Sequence, residues 1–245
     1  MRKSYEFFIL FIKENYYNKM ALFWVVFIPL IFFFINHSNW FTNPPEHQQA
    51  YLQISVFWSF MVLISAVINT AVELFTLRDR GFFKMFSFIA GSKGSIIFGK
   101  GLANLSLLII SMVVFNTIVA LLFQLNPLIL IGKGLLLVVL TFIPVALFFS
   151  WIVALPFKAE SIVPAFSLLT IILLYMTSSL TGFESFLLLI NPAEFIVRVA
   201  ELVVTSFEAF IYVNLTVLSV TALIYIMIGL LTFKLINLES KASRN

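Results

Sequence analysis

The sequence predicts an all-α integral membrane protein with six transmembrane helices, and three observations carry that reading. Of its 245 residues, 62% are hydrophobic and only 11% are Asp, Glu, Lys or Arg, too little charge to clothe a water-soluble fold. The apolar residues gather into six runs at or above the length that crosses a bilayer core. If both termini lie inside, only Lys133 and Arg198 of the fifteen Lys and Arg residues fall outside, as the positive-inside rule requires.

Residues 1–18 form an amphipathic helix for the inner membrane surface. Phe8, Phe11, Ile12 and Tyr16 share one side of it, and Lys3, Glu6, Lys13 and Glu14 fall mostly on the other. The first crossing spans residues 20–35, with Pro29 as a kink that neighbouring helices can satisfy. An outer loop with His37, Trp40, Pro44-Pro45 and His47 follows, and the second crossing takes residues 51–75. Glu73 then stands at the inner water interface. Residues 76–95 make a charged and aromatic inner loop, carrying Arg78, Asp79, Arg80, Phe82, Phe83, Lys84, Met85 and Phe86. Residues 96–123 return outward with Asn104, Ser106, Ser111, Asn116 and Thr117, polar groups expected to bond neighbouring helices. Residues 128–157 go back in, with Lys133 snorkelling to the outer interface.

The fifth crossing is residues 162–180, and residues 181–208 form an outer re-entrant hairpin rather than a plain loop. Its signs are a break at Asn191-Pro192 and then Glu194, Arg198 and Glu201 spaced four and three apart on one helical face, an ion-pair network near solvent. The last crossing is residues 209–233, followed by an inner tail with Lys234, Lys241 and Arg244.

Several chemistries are excluded. There is no Cys, which removes disulfides and thiol catalysis. His37 and His47 lie in one outer loop with Glu46 as the nearby acid, which makes a solvated loop and no metal site. Gly94 to Lys100 matches a phosphate-binding loop until its last position, where Gly101 replaces Ser or Thr. It also opens a membrane helix with no strand before it, so no nucleotide binds there. A hydrolase buried in the membrane needs a His or Lys base at depth, and Lys133 is peripheral. The chain is therefore read as a non-enzyme, and its net charge of +4 as an orientation signal with no nucleic-acid partner.

The inner loop reads Leu77-Arg78-Asp79-Arg80-Gly81-Phe82, then Ala90-Gly91-Ser92-Lys93 leading to Gly99-Lys100, and Asn191-Pro192 breaks the outer hairpin. In layout and in these motifs the chain resembles the membrane subunits of ABC-2 type ATP-binding-cassette exporters. The family has Glu-Arg-Glu-x-Gly-Thr at the first position and a Pro-Val-Ser-Arg-like turn before Gly-Lys; Leu77, Phe82 and Ala90 depart from it. The resemblance implies a single transmembrane domain whose inner loop is a coupling helix. Phe82, Phe83, Met85 and Phe86 would sit in a groove of a separate cytoplasmic ATPase, with Arg78, Asp79, Arg80 and Lys84 around the rim. Glu73 and Lys100 would mark the inner interface. It further implies that the partner binds ATP and magnesium and that two copies, or this chain and a related one, enclose the path. The setting would be a bacterial cytoplasmic membrane with both termini inside. The aromatic membrane region and acidic outer hairpin suit an amphipathic or cationic peptide as cargo, as in small peptide exporters of the phenol-soluble modulin type. A drug, lipid or glycan precursor is the alternative cargo, and a six-helix channel, scaffold or carrier the alternative class.

Overall fold

The computed structural model describes residues 2–177, 190–205 and 215–236, and every regular element among them is helical. In chain order these are α1 (Arg2–Tyr17), α2 (Lys19–Asn36), α3 (His47–Asp79), α4 (Phe82–Ala90), α5 (Lys93–Leu122), α6 (Pro127–Ala154), α7 (Ala159–Met176), α8 (Pro192–Val204) and α9 (Leu215–Leu235). A short 3-10 turn, Ser38–Phe41, follows α2, and the last part of α6, Phe149–Ala154, is also 3-10. Five of the helices, α3, α5, α6, α7 and α9, are long and apolar enough to cross a membrane. Val25–Asn36, which overlaps the expected first crossing at residues 20–35, is a shorter apolar helical stretch. The expected inner loop at residues 76–95 is almost wholly helical, because α3 runs to Asp79 and α4 and α5 follow after breaks of two residues each. Of the expected outer hairpin, residues 181–189 and 206–208 lie outside the described residues, as do 178–180 of the fifth crossing and 209–214 of the last.

Local chemistry explains where the helices begin. Asn126 accepts from the backbone N–H groups of Leu128 and Ile129, and Pro127 occupies the first helical position, where a missing N–H costs nothing. Asn191-Pro192 repeats the device at the start of α8, with the Asn191 amide oxygen accepting from Ala193. The Asn191 amide nitrogen also donates to Leu173 O at 2.9 Å, which ties the start of α8 to α7.

The core runs along α3, α5, α6 and α8. Trp58, Phe75, Met112, Phe115, Leu137 and Ile196 are buried within it. The polar residues of α5 divide by role. Asn116 accepts from Trp58 Nε1 at 2.7 Å and donates to Leu130 O at 3.3 Å, joining three helices, whereas Ser106, Ser111 and Thr117 bond carbonyls of their own helix four residues back.

One feature of α3 has no forewarning in the sequence pattern: Ser65–Val72 is a π-helical segment. Its wide turns leave carbonyls unused by the normal ladder. Asn104 of α5 donates to Asn69 O and to Thr70 Oγ1, and Thr70 Oγ1 itself donates to Ser65 O five residues back.

Two helices approach closely at Gly229, where a Cβ would stand 2.5 Å from Leu147 Cβ and 2.8 Å from Leu147 O. Backbone cannot retreat as a flexible side chain can, so Gly229→Ala is expected to cost about 1–3 kcal/mol through overpacking. Thermal unfolding in detergent, with Gly132→Ala in open space as the control, measures it.

Candidate functional site

The site assembles where α3 ends, α4 turns and α5 begins. Gly81 (φ +81°) and Gly91 (φ +68°) bracket α4 in the left-handed region, which a side chain resists, and so make it a separate nine-residue helix. Ser92 then caps α5, accepting from Gly94 N. The phosphate-loop-like stretch is thus plain helix in α5.

Helix α4 has two faces. Phe83, Ser87 and Ala90 are buried, and Phe82, Met85, Phe88 and Ile89 are exposed, Phe88 at 75% and Ile89 at 66%. Phe83, expected to seat in a partner, is fully inside, beside Phe7, Phe11 and Ile96. Phe86 lies edge-on to Phe7 and Phe11 of α1, at ring separations of 5.6 and 6.3 Å. The exposed aromatic platform therefore comprises Phe82, Met85, Phe88 and Ile89. The last two were legible as the i+3 and i+4 neighbours of Met85, had the helix been known to start at Phe82.

Arg78 and Asp79, expected at the rim of a partner's groove, are internal tethers instead. The Arg78 guanidinium is buried over the Phe75 ring at 4.9 Å and donates through its two terminal nitrogens to Val153 O and Leu155 O, at the end of α6. Such terminal carbonyls have no partner within their own helix and favour a cation. Asp79 accepts from Ala159 N at 2.8 Å, placing a carboxylate at the N-terminus of α7. Two consecutive side chains thus hold both ends of the α6–α7 turn, which the linear sequence does not reveal. Arg80 is exposed and Lys84 half-buried, so these two keep the surface position expected of them.

Helix α1 packs along α5 and α4 rather than standing apart. Gly99 permits this, since a Cβ there would lie 2.7 Å from Phe7 Cβ and 3.0 Å from Phe8 N. The inward face is Phe7 and Phe11, one residue off the expected Phe8. Lys3 Nζ donates to Ile89 O at 3.3 Å, a cation on the last carbonyls of α4.

About two turns into α5, Lys100 is 2% exposed and reaches Glu73 Oε2 of α3 at 2.6 Å and Glu14 Oε2 of α1 at 3.3 Å, with its ammonium 4.8 Å from the Phe11 ring centre. Glu73 and Lys100, expected separately at an interface, are one ion pair. Glu14 was missed because its contact lies 86 residues away in sequence.

At the opposite end, Glu194, Arg198 and Glu201 do form an ion-pair network, with Arg198 Nε 2.8 Å from Glu194 and Nη1 3.1 Å from Glu201. Glu194 is 3% exposed, however, because α8 is packed into the bundle against α3 and α6 instead of standing near solvent. Its place in the first helical turn and its pairing with Arg198 offset that burial. Burial would lower the Arg198 pKa, but Glu201 and Glu194 together outweigh it and raise it. Lys133 donates to Val204 O at 2.5 Å and lies 5.1 Å from the Tyr51 ring centre, so it closes the C-terminus of α8 rather than reaching outward.

No protein-family model, curated protein or solved structure matches this chain. The described residues are all helical in their regular structure, and with the composition they make this a membrane-embedded, multi-pass protein.

Proposed function

We propose that this protein is the membrane permease subunit of an ATP-driven exporter of the ABC-2 type, coupled to a separate cytoplasmic ATPase. The observation that carries the reading is the aromatic platform of α4: Phe82, Met85, Phe88 and Ile89 stand out beside the exposed Arg80. Large apolar side chains with charge beside them are what a protein partner's groove recognises. In this reading α2 completes six crossings, the α4 end is cytoplasmic, and α8 with the segment before it is the re-entrant hairpin. ATP and magnesium belong to the partner, and a second membrane subunit completes the path.

The contacts of α4 supply a route for force. Phe83 and Phe86 press on α1, and Arg78 and Asp79 join the adjoining end of α3 to the α6–α7 turn. Displacing α4 therefore moves α1, α5, α6 and α7 together, because packed interiors transmit strain. An amphipathic or cationic peptide is the proposed cargo on the strength of the aromatic membrane region, since Glu194 is buried and both it and Glu201 are already paired with Arg198.

Affinity purification from the native host in mild detergent, followed by mass spectrometry, tests the proposal. The wild type is expected to bring down an ATPase, and Phe88→Asp to lose at least about 90% of it while staying monodisperse, as loss of a central aromatic contact predicts. Recovery of the membrane protein alone, in conditions that preserve membrane complexes, would sink the reading.

A further inference from the structure

We propose that the junction of α1, α3 and α5 is a binding site for an amphiphile with an ammonium head and one alkyl chain. The proposal stands apart from the exporter reading and rests on three neighbouring spaces. A cleft of about 430 Å³ is walled by Leu10, Phe11, Leu77, Phe82 and Phe86, with Arg80 also on its lining. It shares Glu14, Glu73 and Lys100 with a neck of about 60 Å³, whose other walls include Asn15, Asn69 and Asn104. The neck in turn shares Val25 and Asn69 with a groove of about 120 Å³ lined by Ile28, Pro29, Phe60, Met61 and Ile64. The three spaces lie side by side along these shared residues, polar in the middle and apolar at the α2 end.

The charge of the neck selects the head group. Two carboxylates face a single ammonium there, so one negative charge is left over, and Arg80 lines only the wide cleft. Glu73 Oε2 is buried 2.6 Å from Lys100 Nζ, and Glu14 Oε2 draws on the same ammonium at 3.3 Å. Two carboxylates sharing one ammonium leave acceptor capacity for a further donor. A cationic N–H group supplies both the donor and the missing charge, whereas a carboxylate or phosphate head would meet Glu14 and Glu73 as like charges.

The groove selects the tail. Ser65 and Asn69 are the polar residues on its described lining, and both belong to the π-helical segment. Met61 and Leu108 are buried against it, and its small apolar volume can take an alkyl chain. Apolar surface of this kind gains from each methylene placed on it. The π-segment thus has a role in the site: its wide turns put Asn69 at the boundary between the polar neck and the apolar groove.

The test uses the full chain in lipid nanodiscs with a primary alkylamine carrying a photoreactive diazirine at the chain end. Saturable labelling of peptides containing Ile28, Phe60 or Met61 is expected. Unlabelled alkylamines should compete about fourfold better per added methylene until the groove is full. The alkyl carboxylate of equal length should compete at least about tenfold worse, and Glu73→Gln should weaken labelling by a similar factor. Ile64→Trp, which fills the groove and leaves the neck intact, should shorten the preferred chain. It keeps the test informative if Glu73→Gln misfolds. Labelling that does not saturate, that spreads over the exposed faces of α7 and α9, or that alkyl carboxylates compete equally would overturn the proposal.

Discussion

Replacing Arg78 with Met is expected to lower stability by about 3–5 kcal/mol, since two charge-assisted hydrogen bonds vanish and two carbonyls at the end of α6 lose their partner. For a chain of this size the thermal midpoint in detergent should fall by roughly 10 °C. Arg78→Lys should recover little of it. An ammonium is a point charge and cannot span Val153 O and Leu155 O as the planar fork does. Neighbouring Arg80→Met, at an exposed position, should change the midpoint by less than about 2 °C. If Arg78 and Arg80 behave alike, the tether reading is wrong and both belong to the rim of a partner's groove.

The second large effect is expected at Lys100. Lys100→Met leaves Glu14 and Glu73 facing each other without a cation, across the point where α1 meets α3 and α5. Full burial of all three groups would put the cost at about 3–5 kcal/mol. The carboxylates keep roughly half their exposure, 55% for Glu14 and 45% for Glu73, and water screens them, so about 2–3 kcal/mol is expected. The double variant Lys100→Met/Glu73→Gln should regain at least about half of the loss, because it also removes the like-charge contact. Thermal midpoints of the two single variants and the double one measure the coupling. Additive losses would show that Lys100 and Glu73 do not act as a pair.

Much of the fold was legible because membrane helices announce themselves locally. The long apolar runs of α3, α5, α6, α7 and α9 required no tertiary knowledge, and Asn126-Pro127 and Asn191-Pro192 are helix starts that a few residues determine. The candidate site was less legible. Polarity singled out Arg78, Asp79, Glu73 and Lys100, but the partners that Arg78, Asp79 and Lys100 find on α6, α7 and α1 lie between 75 and 86 residues away. A charge in a short loop reads as solvated until a distant helix end is brought to it, as Val153 and Leu155 are brought to Arg78. The π-segment left no mark for a related reason. Ser65–Val72 carries an ordinary apolar pattern, and the wide turn shows only beside Asn104 of α5. Phe83 teaches the opposite lesson: in a run as aromatic as Phe82 to Phe88, composition alone cannot separate the face that packs from the face that docks.

The exposed face of α4 as a cytoplasmic docking platform is the centre of this account, and one thiol tests it. The chain contains no Cys, so Phe88→Cys carries the sole reactive sulfur. A membrane-impermeant maleimide is applied to inside-out and right-side-out vesicles from the native host, before and after peripheral proteins are stripped. The account predicts no labelling from outside, weak labelling of intact inside-out vesicles, and strong labelling once the ATPase has been removed. Labelling from outside, or strong labelling of inside-out vesicles that stripping leaves unchanged, would contradict it.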